Sequence, residues 1–189
     1  MLKLSPKFEE ALVYATRVHG GQLRKKTKIP YIGHLLGVTA IALEYGANET
    51  EAIAALLHDA VEDCGGAERQ REIEEKFGKE VGAIVAGCTD TDQTPKPPWR
   101  ERKEKYIAHL KSASASTRLV SASDKLHNAR AILHNLREDG DEIWSRFKGG
   151  KEGTLWYYRS LVTAFRAHGD SALLDELARV VSEIERIAG

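Results

Sequence analysis

Between Asn48 and Asp63 an apolar segment runs directly into a cluster of ionisable groups, and this stretch constrains the fold more than any other. Ile53, Leu56, Leu57, Ala60 and Val61 recur at three- and four-residue spacing, the mark of a buried helical stripe. Asn48, with Glu51 three residues on, has the pattern of a capping box and fixes the start. The spacing predicts one helix continuing to Asp63, with His58 stacked over Glu62 and Asp59 over Asp63. Three carboxylates this close repel one another, and burying them unpaired costs several kcal/mol, roughly. A bound cation is the natural remedy, because it supplies the missing positive charge.

Further ligands lie elsewhere in the chain. His34 follows Pro30-Tyr31-Ile32-Gly33, and Asp124 opens Asp124-Lys125-Leu126-His127-Asn128. The order His, His-Asp, Asp resembles the HD phosphohydrolase superfamily. Together with Arg24-Lys25 and Ala55-Leu56-Leu57-His58-Asp59-Ala60-Val61-Glu62-Asp63, these blocks look like the hydrolase domain of the Rel/Spo alarmone enzymes. With no second domain in evidence, the chain is similar to the stand-alone small alarmone hydrolases. One departure is Leu35, where the family usually has proline. A first-turn proline is replaceable by a good helix former, so the ligand need not be disturbed.

The rest of the chain reads as helices. Ser5-Pro6 starts one, with serine as cap and proline at the first helical position, and it stops at Gly20-Gly21. A second runs from His34 to Gly46, and a charged amphipathic one from Glu68 to Phe77. Val81, Ile84 and Val85 continue as a short apolar helix. The proline-rich stretch from Cys88 to Pro98, which contains Asp92 and Thr94, reads as an active-site loop. Helices follow over Trp99–Leu110, Thr117–Leu133 and Thr154–Ala167, and over an apolar series from Leu173 to Ile187 that packs as core or as a homodimer contact. The expectation is an all-α, single-domain bundle of the HD type over residues 1–189, with about eight to ten helices.

Composition excludes several classes. The 189 residues carry 28 basic and 28 acidic side chains, which argues against coating a nucleic acid. A small phosphorylated substrate needs only a local patch, and Arg24, Lys25, Lys26 and Lys28 supply one just before His34. A solvated charge run would account for the same residues; their position beside the first ligand favours phosphate, with Lys26 and Lys28 left as surface. No apolar run approaches the roughly 20 residues needed to span a bilayer, and the first residues do not read as a signal peptide. Cys64 and Cys88 show no disulfide framework and suit a reduced, cytoplasmic protein. Beside Glu62 and Asp63 the Cys64 thiol is expected to be raised in pKa, which disfavours a nucleophile.

The resemblance implies a ligand set of His34, His58, Asp59 and Asp124 holding one divalent metal. It implies Mn²⁺; the mixed nitrogen–oxygen set suits Mn²⁺ or Fe²⁺ and leaves zinc open. Glu62 and Asp63 would orient or deprotonate the attacking water, as the family assigns its Glu-Asp pair. Arg24 and Lys25 would face the nucleotide. Glu101-Arg102-Lys103 matches a further basic block, with Arg102 and Lys103 as candidates and Lys103 preferred, although a solvated helix face explains it equally well. Asn128 lies one turn from Asp124 and can hydrogen-bond substrate or ligand. His127 points about 100° away from Asp124 and reads as structural. His19, His109, His134 and His168 have no spacing that ties them to the site. Tyr157 or Tyr158 could stack on a base. The implied reaction is hydrolysis of ppGpp or pppGpp at the 3′ position, releasing pyrophosphate and GDP or GTP. Another phosphorylated nucleotide, such as NADPH or an adenosine alarmone, or a non-catalytic nucleotide-binding module, remains open at this stage.

Overall fold

The structure, a computed structural model, describes residues 3–91, 93 and 95–189. Asp92 and Thr94 of the proline-rich loop, and the first two residues, lie outside the described residues. Among the described residues there are ten α-helices, one 3₁₀ helix and no strand beyond an isolated bridge between Leu23 and Pro30.

Helix α1 spans Pro6–Val18, and the Ser5 hydroxyl accepts from the Lys7 amide as its cap. Helix α2 spans Ile32–Glu44, and α3 spans Glu49–Leu57 behind the Asn48–Glu51 capping box. A short α4 follows over Ala60–Asp63, then α5 over Gly66–Phe77 and α6 over Lys79–Cys88. Helix α7 covers Trp99–Leu110 and α8 covers Ala115–Asp139. The 3₁₀ helix Gly140–Arg146 leads to α9, Gly150–Arg166, and α10, Ala172–Ala188.

Two apolar clusters make the core. One gathers Leu35 and Val38 of α2, Ile53, Leu56 and Leu57 of α3, Ile73 of α5 and Val85 of α6. The other gathers Leu110, Leu126, Ile132, Leu161, Phe165 and Leu177 from α7 to α10. The long helix α8 serves both: Val120 packs into the first and Leu126 into the second. It also lies against α2, α3 and α6. That crossing brings Asp124 to His34 and His58. The final helix spends its apolar face inside the chain, with Leu173, Leu177, Val180, Val181 and Ile184 packed against α8 and α9. Among the described residues no helix is long and apolar enough to cross a membrane.

The expected continuous helix to Asp63 is interrupted. α3 ends at Leu57, and Asp59 takes φ −99°, ψ −3°, outside regular helix values. The cause is local. His58 Nδ1 approaches the Ala55 carbonyl at 2.9 Å, and that carbonyl is the one an unbroken helix would pair with the Asp59 amide. The helical path resumes at once, since the Asp63 amide donates to the Asp59 carbonyl at 3.0 Å.

Candidate active site

Four side chains meet where α2, the α3–α4 break and α8 converge. His58 Nε2 lies 2.9 Å from Asp59 Oδ2 and 3.6 Å from Asp124 Oδ1. His34 Nε2 lies 3.2 Å from Asp124 Oδ1 and 3.5 Å from Asp59 Oδ2. Atoms bound at 2.0–2.2 Å to one ion sit about 3.0 to 3.5 Å apart, so this spacing is that of a ligand shell. His34, His58 and Asp59 alone offer three such atoms within 4.8 Å of one another.

The surroundings set the tautomers and charges. His58 gives its Nδ1 hydrogen to Ala55, so Nε2 is the nitrogen turned to the carboxylates. That nitrogen is buried and has no hydrogen-bond partner among the described residues. Once it gives up its proton, a nitrogen so placed among carboxylates fits a divalent cation, whose charge would also settle the acidic cluster. In the metal-free protein a proton takes the cation's place: burial opposes a charge on His58, but Asp59 and Asp124 outweigh it and hold the imidazole well above its ordinary pKa. Burial alone would raise Asp59 and Asp124. Instead His58 and His34 hold Asp59 well below the usual carboxylate range, and Lys125 with the two imidazoles does the same for Asp124.

A second layer of residues holds the four in place. The Tyr31 hydroxyl donates to Asp59 Oδ2 at 2.6 Å. Lys125 Nζ lies 2.5 Å from Asp124 Oδ2, and Asn128 Nδ2 donates to Asp124 Oδ1 at 2.5 Å. His127 Nδ1 lies 2.9 Å from His34 Nδ1. Because His34 turns Nε2 to the site, its Nδ1 carries the hydrogen and His127 accepts it. His127 therefore bears on the orientation of His34, one of the candidate ligands. Burial, then His34 and Arg24, push it down to about 4, so it is neutral in this role. Gly37 makes room for it, since a Cβ there would meet His127 Nε2 at 2.3 Å.

The predicted catalytic pair separates. Glu62 Oε1 accepts from Lys96 Nζ at 2.8 Å, and Oε2 accepts from the Asp90 amide at 3.2 Å, which ties α4 to the proline-rich loop. Asp63 stands exposed at the rim, where Gln22 Nε2 donates to its Oδ2 at 2.9 Å. Partial desolvation, then the charge of Asp59, raises its carboxyl, with Gln22 opposing and Glu62 adding to the rise. Burial and Asp63 likewise raise the Cys64 thiol, against a role as nucleophile.

Of the substrate candidates, Arg24 Nη2 donates to Asn128 Oδ1 at 2.8 Å and so joins the basic loop to α8. Lys25 is exposed on the same loop. Lys103 Nζ sits 2.9 Å from Asp90 Oδ2 and 4.9 Å from the centre of the Tyr157 ring. Burial and Lys125 lower its pKa, with Asp90 opposing. Arg102 is buried, bonded to Asp90 and to the Pro97 carbonyl, which makes it an anchor of the loop. Tyr157 and Tyr158 are both buried, so neither offers an open face for stacking. Lys26 reaches the Ser145 carbonyl at 2.9 Å.

Sequence reasoning did not find Tyr31, Gln22, Lys96 or Lys125, and it set His19 aside. His19 Nδ1 in fact lies 2.7 Å from Gln22 Oε1, and its ring stacks on Tyr31. The available signal was position alone: His19 and Gln22 immediately precede the basic loop, and Lys125 adjoins Asp124.

The same fold occurs in known proteins. A metazoan ortholog of SpoT, described as hydrolysing ppGpp and acting in starvation responses, superposes with a TM-score of 0.80 at 26% identity, covering 100% of both chains. GTP pyrophosphokinase of Myxococcus xanthus is 35% identical over 103 residues, which is 54% of this chain and 13% of that protein. Guanosine-3′,5′-bis(diphosphate) 3′-pyrophosphohydrolase of Aquifex aeolicus is 41% identical over 81 residues, 43% of this chain and 11% of that protein. The chain thus matches only a small part of these longer relatives. The HD domain family matches residues 11–155, a span that contains all four converging side chains, and the chain belongs to that family.

Proposed function

We propose that this chain is a metal-dependent (p)ppGpp 3′-pyrophosphohydrolase, built as one HD-type domain over residues 1–189. The observation that carries the reading is the buried His58 Nε2 converging with His34, Asp59 and Asp124, with Arg24 joined to Asp124 through Asn128 and Asp63 held by Gln22. The likeness to the metazoan ppGpp hydrolase and to the Aquifex enzyme supports the substrate class.

His34, His58, Asp59 and Asp124 would hold one divalent cation, Mn²⁺ in our reading, which supplies Lewis-acid activation of water and of a phosphoryl oxygen. Asp63 takes the proton from the attacking water. It stands at the rim, partial desolvation and Asp59 raise its carboxyl, and Gln22 fixes its Oδ2. The water oxygen bonds to the phosphorus next to the 3′ oxygen. The 3′ oxygen then departs, and the proton it takes up balances the one Asp63 accepts. Arg24 and Lys25, with Lys103 deeper in the site, neutralise charge on the pyrophosphate as it leaves. Asn128 keeps Arg24 in register through its side-chain oxygen. Glu62 holds Lys96 and the loop amide of Asp90 at the edge of the same site and so acts on the water's surroundings. The free thiols of Cys64 and Cys88 suit a cytoplasmic setting.

The test is pyrophosphate release from ppGpp by the purified chain, with Mn²⁺ and after chelation, run beside NADPH and an adenosine alarmone. Release of pyrophosphate and GDP that requires the metal is the expected result. Metal uptake without turnover of ppGpp would overturn the reading.

A further inference from the structure

His19 lies at the end of α1, outside the ligand set, and is 4% exposed. It makes two contacts that lead to different parts of the site. Its Nδ1 lies 2.7 Å from Gln22 Oε1, so the ring donates there, and Gln22 Nε2 in turn donates to Asp63 Oδ2 at 2.9 Å. Its ring face stacks on Tyr31, with centroids 5.2 Å apart and planes 18° from parallel, and the Tyr31 hydroxyl donates to Asp59 Oδ2. One imidazole thereby braces both the carboxylate read as the base and a carboxylate of the ligand set.

The backbone reinforces this arrangement. The Gln22 amide donates to the His19 carbonyl at 3.0 Å, and the Tyr31 amide donates to the Gln22 carbonyl at 2.9 Å. His19, Gln22 and Tyr31 therefore close the neck of the loop that carries Arg24 and Lys25. A free glutamine amide rotates, and only one rotamer end can donate to a carboxylate. The hydrogen from His19 selects that end by occupying Oε1. The Cys64 thiol, 3.7 Å from the same oxygen, adds a weaker donor to it. The cost is visible at the other ring nitrogen: His19 Nε2 is buried without a partner among the described residues, which a residue kept only for packing would avoid.

We propose that His19 is a positioning residue. It sets the amide of Gln22, and through it the carboxylate of Asp63, while its ring steadies Tyr31 against Asp59. The proposal rests on the reading of Asp63 as the base. Two substitutions separate the arms: His19→Phe keeps a stacking ring and loses the donor, whereas His19→Asn keeps a donor close to the Nδ1 position and loses the ring.

The experiment measures kcat, KM, Mn²⁺ affinity and thermal unfolding for His19→Phe, His19→Asn, Gln22→Ala and the His19→Phe/Gln22→Ala double variant. It adds solvent exchange of the Gln22 side-chain amide by NMR. His19→Phe should lose kcat by about tenfold to a hundredfold, the cost of a misplaced group, with KM and Mn²⁺ affinity unchanged and Gln22 exchange accelerated. His19→Asn should recover kcat at saturating Mn²⁺ but bind Mn²⁺ more weakly. The double variant should be no slower than Gln22→Ala alone, because both act along one path. Full kcat in His19→Phe, multiplicative losses in the double variant, or unchanged Gln22 exchange would each overturn the proposal. If the wild-type chain releases no pyrophosphate, the functional reading fails, and Gln22 exchange together with Mn²⁺ affinity still decides the brace.

Discussion

Gly37→Ala tests whether the layer behind the ligands controls the metal. Gly37 lies inside α2, where alanine is favoured over glycine by about 0.8 to 1.0 kcal/mol. On helix propensity alone the variant is stabilised. The structure reverses the sign. A Cβ at residue 37 would sit 2.3 Å from His127 Nε2 and 2.4 Å from its Cδ2, whereas ordinary contact is about 3.5 to 4.0 Å. The imidazole must therefore retreat by about 1.2 to 1.7 Å, the difference between those separations. It cannot do so and keep its 2.9 Å hydrogen bond to His34 unless His34 follows, and a ligand tolerates only about 0.2 Å of misplacement. Loss of such a supporting contact costs about tenfold to a hundredfold in metal affinity, or about 1.4 to 2.8 kcal/mol. The assay is Mn²⁺ competition against a chelator, with thermal unfolding measured on the metal-free protein. Unchanged affinity with a higher melting temperature would refute the reasoning. The His127→Ala background gives the control: with the ring gone, Gly37→Ala should add no further loss of affinity.

Four other outcomes follow from the site. Asp124→Ala removes an anionic ligand and leaves the half-buried Lys125 without its carboxylate, so metal content after dialysis at low free Mn²⁺ should fall together with activity; full occupancy would count against the ligand set. Glu62→Gln and Asp63→Asn should each retain metal, with Asp63→Asn losing kcat by roughly a hundredfold or more if Asp63 is the base; turnover at the wild-type rate would remove it from that role. Lys25→Ala should lower kcat/KM by roughly tenfold to a hundredfold, about 1.5 to 3 kcal/mol for one charge-assisted contact, with metal content intact. His127 is held down to about 4 from an ordinary value of 6.5, so the unfolded chain takes up its proton first on acidification. The stability this contributes is fully present above about 6.5 and is lost as pH falls to about 4. Urea unfolding of the metal-free protein at pH 7 and pH 5 should show that loss in the wild type and less of it in His127→Asn.

The candidate ligands were legible in the sequence and the residues that hold them nearly invisible, for a physical reason. His58, Asp59 and Asp124 stand out because a charge inside an apolar helical stripe is expensive, and expense leaves a pattern in one dimension. His19, Gln22 and Tyr31 break no such rule: a histidine at a helix end and a glutamine at a loop entrance are unremarkable until the chain folds back on itself. His127 shows the limit most clearly. A helical-wheel argument places it about 100° from Asp124 and so away from the metal. The same rotation turns it towards α2, where it meets His34 behind a glycine gap. Periodicity within one helix gives a direction, whereas the partner in that direction depends on how α8 crosses α2. The break after Leu57 has the same origin. Propensity favours a helix running on to Asp63, but the His58 side chain takes the Ala55 carbonyl and the axis turns. On α4 Glu62 meets Lys96 and Asp63 meets Gln22, so two adjacent carboxylates have different surroundings. Different surroundings are what allow adjacent acids to take different roles, and here that difference comes from the rotation of about 100° between neighbours on a helix, which turns one to the proline-rich loop and the other to the loop after α1.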